Sequence, residues 1–383
     1  MKIFCFRNCL ILLLLYLAAM SVYFWNKQYY NWDIEAYMGI IYTLDDPEMP
    51  VAEIHQRVYS ELRTEAPHIF EFPDVEETTI GVNDYYKVLS QNPDAFGEEL
   101  ELFKVKPLYN WINFAFYKLG FSASKATAVP VIISYLLIIM GVFIFTAKLW
   151  KNNLIALLIA MLISLFKPLQ DATRHASPDM LAAVFLLASF YCLFYTKNKV
   201  AYTVFAMLAV LARPEFMLLF AIFTVLKIIL EQSVKKNTEL LTGLLFIVSS
   251  FGIIQLANKV SWGTLVMNQF IKVQYFPVSA PEAFDQSAYI RYLKENILLE
   301  FNSSYFVILL LFAVLVFGAT FYRNCQLNKA DQNRILLIAA IYMTVMVRFL
   351  VFPMLVNRMM VGFYLLIILA VIAQQRKLVS LRQ

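Results

Sequence analysis

The chain has 383 residues, of which 61% are hydrophobic and only 15% are charged, and its mean hydropathy is +0.64. About half of the residues of a soluble globular protein are apolar, so this composition excludes that class and predicts a polytopic membrane protein. The apolar residues fall in runs of about 12 to 20, the pattern of membrane helices and not of a β-barrel. We therefore predict an all-α fold that forms one integral membrane domain over residues 1–383.

The net charge of +5 conceals two oppositely charged parts of the chain. Residues 26–105 carry 17 acidic and 5 basic side chains, whereas the rest carries 27 basic and 10 acidic ones. The basic residues lie in small groups between apolar runs, so they indicate membrane topology and not nucleic-acid binding.

Ten apolar segments are candidate membrane spans. An N-terminus inside the cell places the basic groups between them on the cytoplasmic side, as the positive-inside rule requires. We therefore expect an uncleaved first helix in the plasma (inner) membrane, both termini in the cytoplasm, and outer loops at about 26–125 and 258–302. The predicted spans are 4–25, 126–146, 154–166, 180–195, 200–211, 215–230, 240–256, 305–322, 335–352 and 359–372.

The first outer loop opens with "NWDIEAY", residues 31–37, directly after the first span. Asp33 and Glu35 are unusual there, because membrane anchoring favours aromatic and basic residues. A carboxylate at this place could accept a proton from an acceptor hydroxyl as a general base. On a helix the two acids point to opposite faces, so only one needs to face a site, and we choose Asp33. The alternative is two solvated acids in an acidic loop.

Three segments of the outer loops predict short helices at the membrane surface. Residues 51–62 carry one apolar helical stripe, residues 106–120 are rich in aromatic side chains, and residues 286–299 predict a second-loop helix. Lys106 either joins an anion site or extends its charge to the membrane interface, and the second reading is favoured.

Two of the predicted spans are short. At about 1.5 Å per residue, segments 154–166 and 200–211 reach only ~20 Å of a hydrocarbon core that is ~30 Å thick. The polar linkers that follow would then lie within the membrane, where such backbone needs surrounding protein or a water-filled cavity. This predicts an outward-facing polar cleft; a re-entrant hairpin over 200–230 would make the cleft shallower.

The linker "QDATRHASPDM" is the densest polar group among the short loops. Asp171, Arg174 and His175 have the spacing that one helical turn brings together. Arg174 with His175 could hold a phosphate, while Asp171 orients them or acts as acid or base. Residues 177–179 are typical of a helix start with Ser177 as N-cap, so Asp179 is favoured as a helix cap over a catalyst.

Three further arginines fall in the outer half of the membrane. Arg213 and Glu215 lie between two spans; they could begin a helix, but a charge at that depth is a functional hypothesis by default. Arg348 lies ~20 Å along its span, and Arg358 opens the final one. Together with Arg174 they suggest an anionic ligand, the phosphate or diphosphate headgroup of a lipid.

Cofactor signatures are absent from the sequence. It has no phosphate-binding glycine loop and no Cys/His metal spacing, and its three histidines are His55, His68 and His175. We therefore expect no metal cofactor. A divalent cation bound by carboxylates near Asp33 is an open alternative without support in the sequence.

This layout resembles the GT-C class of membrane glycosyltransferases, which use polyprenyl-phosphate-linked sugars. The shared features are the W-D-x-E stretch at 32–35, "KPLY" at 106–109, an acidic short loop between the third and fourth spans, and "RPE" at 213–215. The resemblance implies an inverting transfer, with Asp33 as base and Arg348 or Arg358 as phosphate ligand. The chain has fewer spans than many members of the class.

The predicted function is transfer of a sugar from a polyprenyl-phosphate carrier to a lipid, glycan or protein acceptor at the outer face. One alternative is a surface-polysaccharide polymerase, although such proteins carry their long loops later in the chain. The other is a lipid-linked glycan transporter or flippase, which would place charged residues on both sides of the membrane midplane.

Overall fold

A computed structural model describes residues 5–30, 32–67, 82–324 and 328–380. These residues form eighteen α-helices and no β-strand. The first nine helices are α1 (Phe6–Asn26), α2 (Trp32–Asp45), α3 (Val51–Glu65), α4 (Val82–Gln91), α5 (Pro93–Phe103), α6 (Pro107–Lys118), α7 (Ala123–Trp150), α8 (Asn153–Ser164) and α9 (Lys167–Arg174). The other nine are α10 (Asp179–Tyr191), α11 (Lys199–Ala212), α12 (Phe216–Glu231), α13 (Thr238–Ala257), α14 (Trp262–Val266), α15 (Gln286–Ser303), α16 (Phe306–Asn324), α17 (Lys329–Val351) and α18 (Val361–Ser380).

Each of the ten apolar segments forms a helix in its described part, and residue 4 of the first lies outside the described residues. Within the described ranges, five helices are long and apolar enough to cross a membrane: α1, α7, α10 with the π-turn that extends it, α13 and α17. The pairs α8–α9 and α15–α16 are bent by 60° and 56°, and counting each as one span gives seven. The all-helical membrane fold is confirmed, whereas the count of ten spans stays a prediction.

The two short predicted spans are also short in the structure. Helix α8 has 12 residues and α11 has 14. After α8 the chain turns, and α9 begins with Pro168 in its first turn, where the missing N–H of proline costs no hydrogen bond. The polar linker that follows α8 therefore contains a helix of its own.

Helix α2 lies inside the protein, because its residues 33–42 are all buried. It packs against α3, α5, α6 and α7. Gly39 permits the approach of α5, since a Cβ atom at this position would lie 2.7 Å from the side chain of Leu100 and 2.8 Å from that of Phe96. The start of α2, which carries Asp33, is thereby fixed within the bundle.

The predicted loop helices are confirmed as α3, α6 and α15. The stripe over residues 51–62 faces inward from Ile54 onward, whereas Val51 is exposed. Glu61 of α3 accepts a hydrogen bond from the backbone N–H of Ser124, at 2.8 Å, in the first turn of α7. This contact satisfies a helix-terminal donor and holds α3 against the bundle.

Candidate active site

Asp33, in the first turn of α2, forms an ion pair with Arg358, which lies in the turn between α17 and α18. The Nη2 atom of Arg358 donates to Oδ2 of Asp33 at 2.6 Å. The two side chains are only 12% and 13% exposed, so the pair is shielded from water. The pair joins the start of α2 to the turn before α18.

Asp179, the first residue of α10, extends this pair into a larger network. Its Oδ2 atom lies 3.7 Å from Nη1 of Arg358, and its Oδ1 atom accepts a hydrogen bond from Arg213. Nη2 of Arg213 is 2.6 Å from Oε1 of Glu215, and Nη2 of Arg348 is 3.9 Å from the same oxygen. We call the resulting six residues the ionic network: Asp33, Arg358, Asp179, Arg213, Glu215 and Arg348.

The ionic network lies where the ends of several helices meet. Asp33 and Asp179 each occupy the first turn of a helix, where the helix dipole favours an acidic side chain. Arg348 occupies the last turn of α17, where the dipole favours a cation. These three charges are therefore supported by their own helices as well as by their partners.

The polar cleft that the short spans predict is filled by these residues. Arg213 and Arg348 are 6% and 4% exposed, so the described side chains occlude the site. Buried charges need partners, and each guanidinium here has at least one carboxylate within 4 Å. A separate apolar groove of about 350 Å³ lies between α7, α10, α17 and α18, away from the network.

Asp33 is held in its ionised form. Burial alone would raise the pKa of Asp33, but the charges of Arg358 and Lys106 and the hydrogen bond from Arg358 outweigh it, so the pKa lies below its ordinary value. An ionised carboxylate can accept a proton. A ligand anion that draws Arg358 away would make Asp33 a stronger base, since the pairing guanidinium is what lowers its pKa.

Lys106, the residue before α6, is a half-buried cation beside the ionic network. Its Nζ atom lies 4.5 Å from the ring centre of Phe103 and 5.6 Å from that of Tyr37. Burial lowers the pKa of Lys106, and the charge of Asp33 opposes this effect. It makes no salt bridge with any described residue. The structure thus places Lys106 over aromatic rings near the network.

Glu35 faces a different part of α2's surroundings. Its Oε2 atom accepts a hydrogen bond from the hydroxyl of Tyr59 at 2.7 Å. Burial raises the pKa of Glu35 to about 7, although the hydrogen bond from Tyr59 opposes the shift. Burial and the charges of Glu35 and Asp33 also raise the pKa of Glu99, on α5, well above its ordinary value. Of the two predicted acids, Asp33 is the one that contacts an arginine of the network.

Two residues predicted for the site are turned away from it. The carboxylate of Asp171 pairs with Lys167 at 2.6 Å. Nε of Arg174 donates to the backbone oxygen of Lys27 at 2.9 Å, and its guanidinium lies 3.6 Å from the ring centre of Tyr29. Helix α9 does form, but Arg174 and Asp171 bind other partners, so the structure does not bring them to the network.

His175 follows α9 and lies nearer to the network. Its Nδ1 atom is 2.7 Å from the backbone oxygen of Asp171. Burial and the charge of Arg358 lower the pKa of His175, while that hydrogen bond and the charge of Asp33 oppose the change. Burial and Arg358 thus favour the neutral form of His175.

Asp179 is the network residue that the sequence analysis placed outside the site. The structure begins α10 at Asp179, with Pro178 as N-cap and no side-chain cap hydrogen bond, so the predicted capping role of Ser177 is wrong. The carboxylate of Asp179 instead contacts Arg213 and Arg358. The signal for its role is an acid at the start of an apolar span, at the depth of arginines that need partners.

No group of three or more His, Cys, Asp and Glu side chains within the described ranges could hold a metal ion. His55 lies on α3, where its Nε2 atom is 2.9 Å from the backbone oxygen of Leu89. His68 lies outside the described residues. The ionic network pairs each carboxylate with arginine, a pattern suited to anions of a ligand more than to a metal ion.

The fold and the ionic network together define a helical membrane protein with a buried carboxylate and several guanidinium groups at one end of its helices. Residues 93–212 match the model of the dolichyl-phosphate-mannose-protein mannosyltransferase family, PMT, which is a GT-C family. The match confirms the resemblance to GT-C glycosyltransferases. No curated protein and no solved structure matches the chain.

The matched region runs from the start of α5 to the end of α11. It contains Lys106, His175 and Asp179, but it ends one residue before Arg213 and does not include Asp33. The roles of the residues outside the match therefore depend on the geometry of the ionic network.

Proposed function

We propose that the protein transfers a sugar from a polyprenyl-phosphate carrier to a hydroxyl group of a lipid, glycan or protein acceptor. Mannose is the first sugar to test, because the matched family model is that of mannosyltransferases. The observation that carries the proposal is the pair of Asp33 and Arg358, a carboxylate kept ionised beside a guanidinium that can bind phosphate.

In the proposed reaction, Asp33 accepts the proton of the acceptor hydroxyl while the oxygen of that hydroxyl attacks the anomeric carbon of the sugar. The bond between that carbon and the phosphate oxygen breaks on the opposite face, so the configuration inverts. The carrier leaves as a lipid phosphate that keeps the electron pair and carries one more negative charge. The guanidinium groups of the ionic network stabilise this charge as it develops.

Arg358 has a double role in this scheme. Before the donor binds, the positive charge of Arg358 balances the negative charge of Asp33 and so keeps the buried carboxylate ionised. The donor phosphate competes with Asp33 for the guanidinium, and a phosphate that takes over Arg358 leaves Asp33 as a stronger base. The base would thus become active only when the donor is in place.

We propose further that the protein has ten spans, both termini in the cytoplasm and the ionic network facing the outer side of the plasma membrane. The distribution of basic residues between the spans supports this orientation. We also propose that transfer needs no metal, so that the rate should be unchanged when EDTA is added to the assay.

The test is a screen of polyprenyl-phosphate sugars with the purified protein in liposomes. Asp33→Asn should lower turnover by about 100-fold or more, because general-base catalysis supplies an effect of this size. The matched change Glu35→Gln, two residues away, should keep turnover within a few-fold. An Asp33→Asn protein as active as the wild type would refute the assignment of the base, and lipid translocation without product would indicate a flippase.

A further inference from the structure

The hydroxyl group of Tyr37 is buried beside the ionic network without a hydrogen-bond partner. Tyr37 lies one helical turn after Asp33 and therefore on the same face of α2. Its ring is 1% exposed and packs edge-on against Tyr109, at 4.8 Å between ring centres, and Phe103, at 5.2 Å. Its hydroxyl oxygen is fully buried and makes no hydrogen bond with any described residue.

Packing does not account for this hydroxyl. A phenylalanine ring would make the same aromatic contacts, and a buried polar atom without a partner costs roughly 1–3 kcal/mol. Buried polar groups in native proteins are nearly always satisfied, so an exception of this kind calls for an explanation.

The surroundings of the Tyr37 hydroxyl show which chemistry it suits. The phenol interacts with the charges of Asp33, Asp179 and Arg213. Two of these residues also have unused hydrogen-bonding atoms that are buried, Oδ2 of Asp179 and Nε of Arg213. The three groups without a hydrogen bond therefore comprise an acceptor, a donor and a hydroxyl that can do both.

This combination fits hydroxyl groups better than it fits phosphate. A sugar hydroxyl donates to a carboxylate and accepts from a guanidinium, so sugar hydroxyl groups offer the partners that these three groups lack. A phosphodiester oxygen only accepts, and Asp179 would repel its charge.

Lys106 gives a ligand a way to this group of atoms. Its ammonium group lies over the Tyr37 ring at 5.6 Å, and it forms no salt bridge with a described residue. A long flexible side chain without a salt bridge can move aside at low cost.

We infer that Tyr37, Asp179 and Arg213 form a subsite that binds sugar hydroxyl groups, with Tyr37 as a positioning residue. The inference depends on the proposed function, since a transferase that acts on a lipid-linked sugar supplies such a ligand. The hydroxyl groups come either from the sugar of the donor or from a glycan acceptor, and kinetics separate the two sources.

The test compares Tyr37→Phe with Tyr202→Phe, a matched change on α11. Tyr202 is also buried, but it packs between Phe190 and Phe220, away from the network, and its hydroxyl faces Thr224. Tyr37→Phe should leave the melting temperature unchanged or slightly higher, because it removes an unsatisfied hydroxyl, and Tyr202→Phe should change it little. Tyr37→Phe should lower kcat/KM about tenfold or more, and Tyr202→Phe should leave it within twofold.

Donor analogues that lack one sugar hydroxyl make the test specific. If Tyr37 binds the donor, one such analogue should react equally well with the wild type and with Tyr37→Phe, and the variant should also hydrolyse donor more slowly when no acceptor is present. If Tyr37 binds a glycan acceptor, only the acceptor KM should rise.

The outcomes distinguish failure of this inference from failure of the proposed function. A wild type and a Tyr202→Phe variant that transfer no sugar from any donor would overturn the proposed function and the subsite with it. A wild type that transfers sugar and a Tyr37→Phe variant with the same kcat/KM would overturn the subsite alone. A Tyr37→Phe variant with lower activity and a lower melting temperature would show that Tyr37 has a structural role, and this result would also overturn the subsite.

Discussion

Two buried aspartates near opposite ends of the bundle make different use of their cations. Asp331 lies in the first turn of α17 and is 0% exposed, and Asp179 lies in the first turn of α10 and is 3% exposed. Asp331 pairs with Arg334 and Lys377, whereas Asp179 pairs with Arg213 and contacts Arg358. Arg348, in the ionic network, lies 17 residues after Asp331 on α17, about 25 Å along the helix.

The difference lies in how completely each carboxylate is satisfied. Both oxygens of Asp331 accept hydrogen bonds, from Arg334 at 3.3 Å and from the backbone N–H of Asn328 at 3.3 Å, and Lys377 adds a third. Asp331 also completes a capping box with Asn328. Oδ2 of Asp179, by contrast, has no hydrogen-bond partner among the described residues. A carboxylate with both oxygens hydrogen-bonded stabilises the contact between helices, while one with an oxygen that lacks a hydrogen bond can still accept one from a ligand.

The largest effect should come from neutralising the two aspartates in turn. Breaking a buried ion pair costs about 3–5 kcal/mol, so Asp179→Asn and Asp331→Asn should both lower the melting temperature. Only Asp179→Asn should also lower turnover, by roughly 100-fold, because a small displacement of Arg358 misplaces the donor. The measurement is the initial rate per folded molecule below the melting temperature of each variant. An equal loss of rate in both variants would remove the functional distinction between the two clusters.

Changes to two arginines should give the next largest effect. Arg358→Gln removes a charged hydrogen bond to the donor phosphate, worth about 1.5–3 kcal/mol, and should raise the donor KM about tenfold or more. Arg174→Gln should lower the melting temperature, because Arg174 binds the carbonyl of Lys27 and the ring of Tyr29, and leave the donor KM within twofold. A raised donor KM in Arg174→Gln would show that α9 turns toward the donor during catalysis.

The helices could be predicted from the sequence because their causes are local. The periodicity of apolar residues predicts the helices, and the short apolar helices α8 and α11 are each followed by polar residues, among them Asp179 and Arg213 of the ionic network. The opposite orientation of Asp33 and Glu35 follows from the helical repeat, and the structure gives them different partners.

The partners within the site could not be predicted in the same way. Asp33 and Arg358 are 325 residues apart, and only the tertiary fold brings the start of α2 to the turn before α18. Spacing grouped Asp171 and Arg174 correctly on one helix, but contacts with Lys167 and the end of α1 decide where their side chains point. The role of Asp179 could not be predicted either. An acidic residue is common in the first turn of a helix, and the sequence does not show which arginines will lie beside it.

The smallest effect concerns Glu99, a buried carboxylate that has no cation partner among the described residues. The pKa of Glu99 is raised by burial and by the charges of Glu35 and Asp33, and burial raises the pKa of Glu35 to about 7. The folded protein therefore holds protons that the unfolded chain releases above about pH 4.5. The stability that these protons give is complete below about pH 4.5 and is lost as the pH rises through the pKa values of the folded protein, that of Glu35 being about 7.

Glu99→Gln replaces the acid with a group that stays neutral, so it should raise the melting temperature at pH 8.5 by about 2 °C or more and change it little at pH 5. Glu53→Gln is the matched control, because Glu53 lies exposed on α3 in an ion pair with Arg57, and such surface pairs contribute little. The measurement is thermal unfolding of the three proteins at both pH values. If Glu99→Gln raised the melting temperature equally at pH 5 and 8.5, the packing of the Glu99 side chain and not its charge would determine the effect. The missing cation at Glu99 would then not lower the stability of the protein. Only measurements of activity could in that case distinguish a fully hydrogen-bonded carboxylate such as Asp331 from an incompletely bonded one such as Asp179.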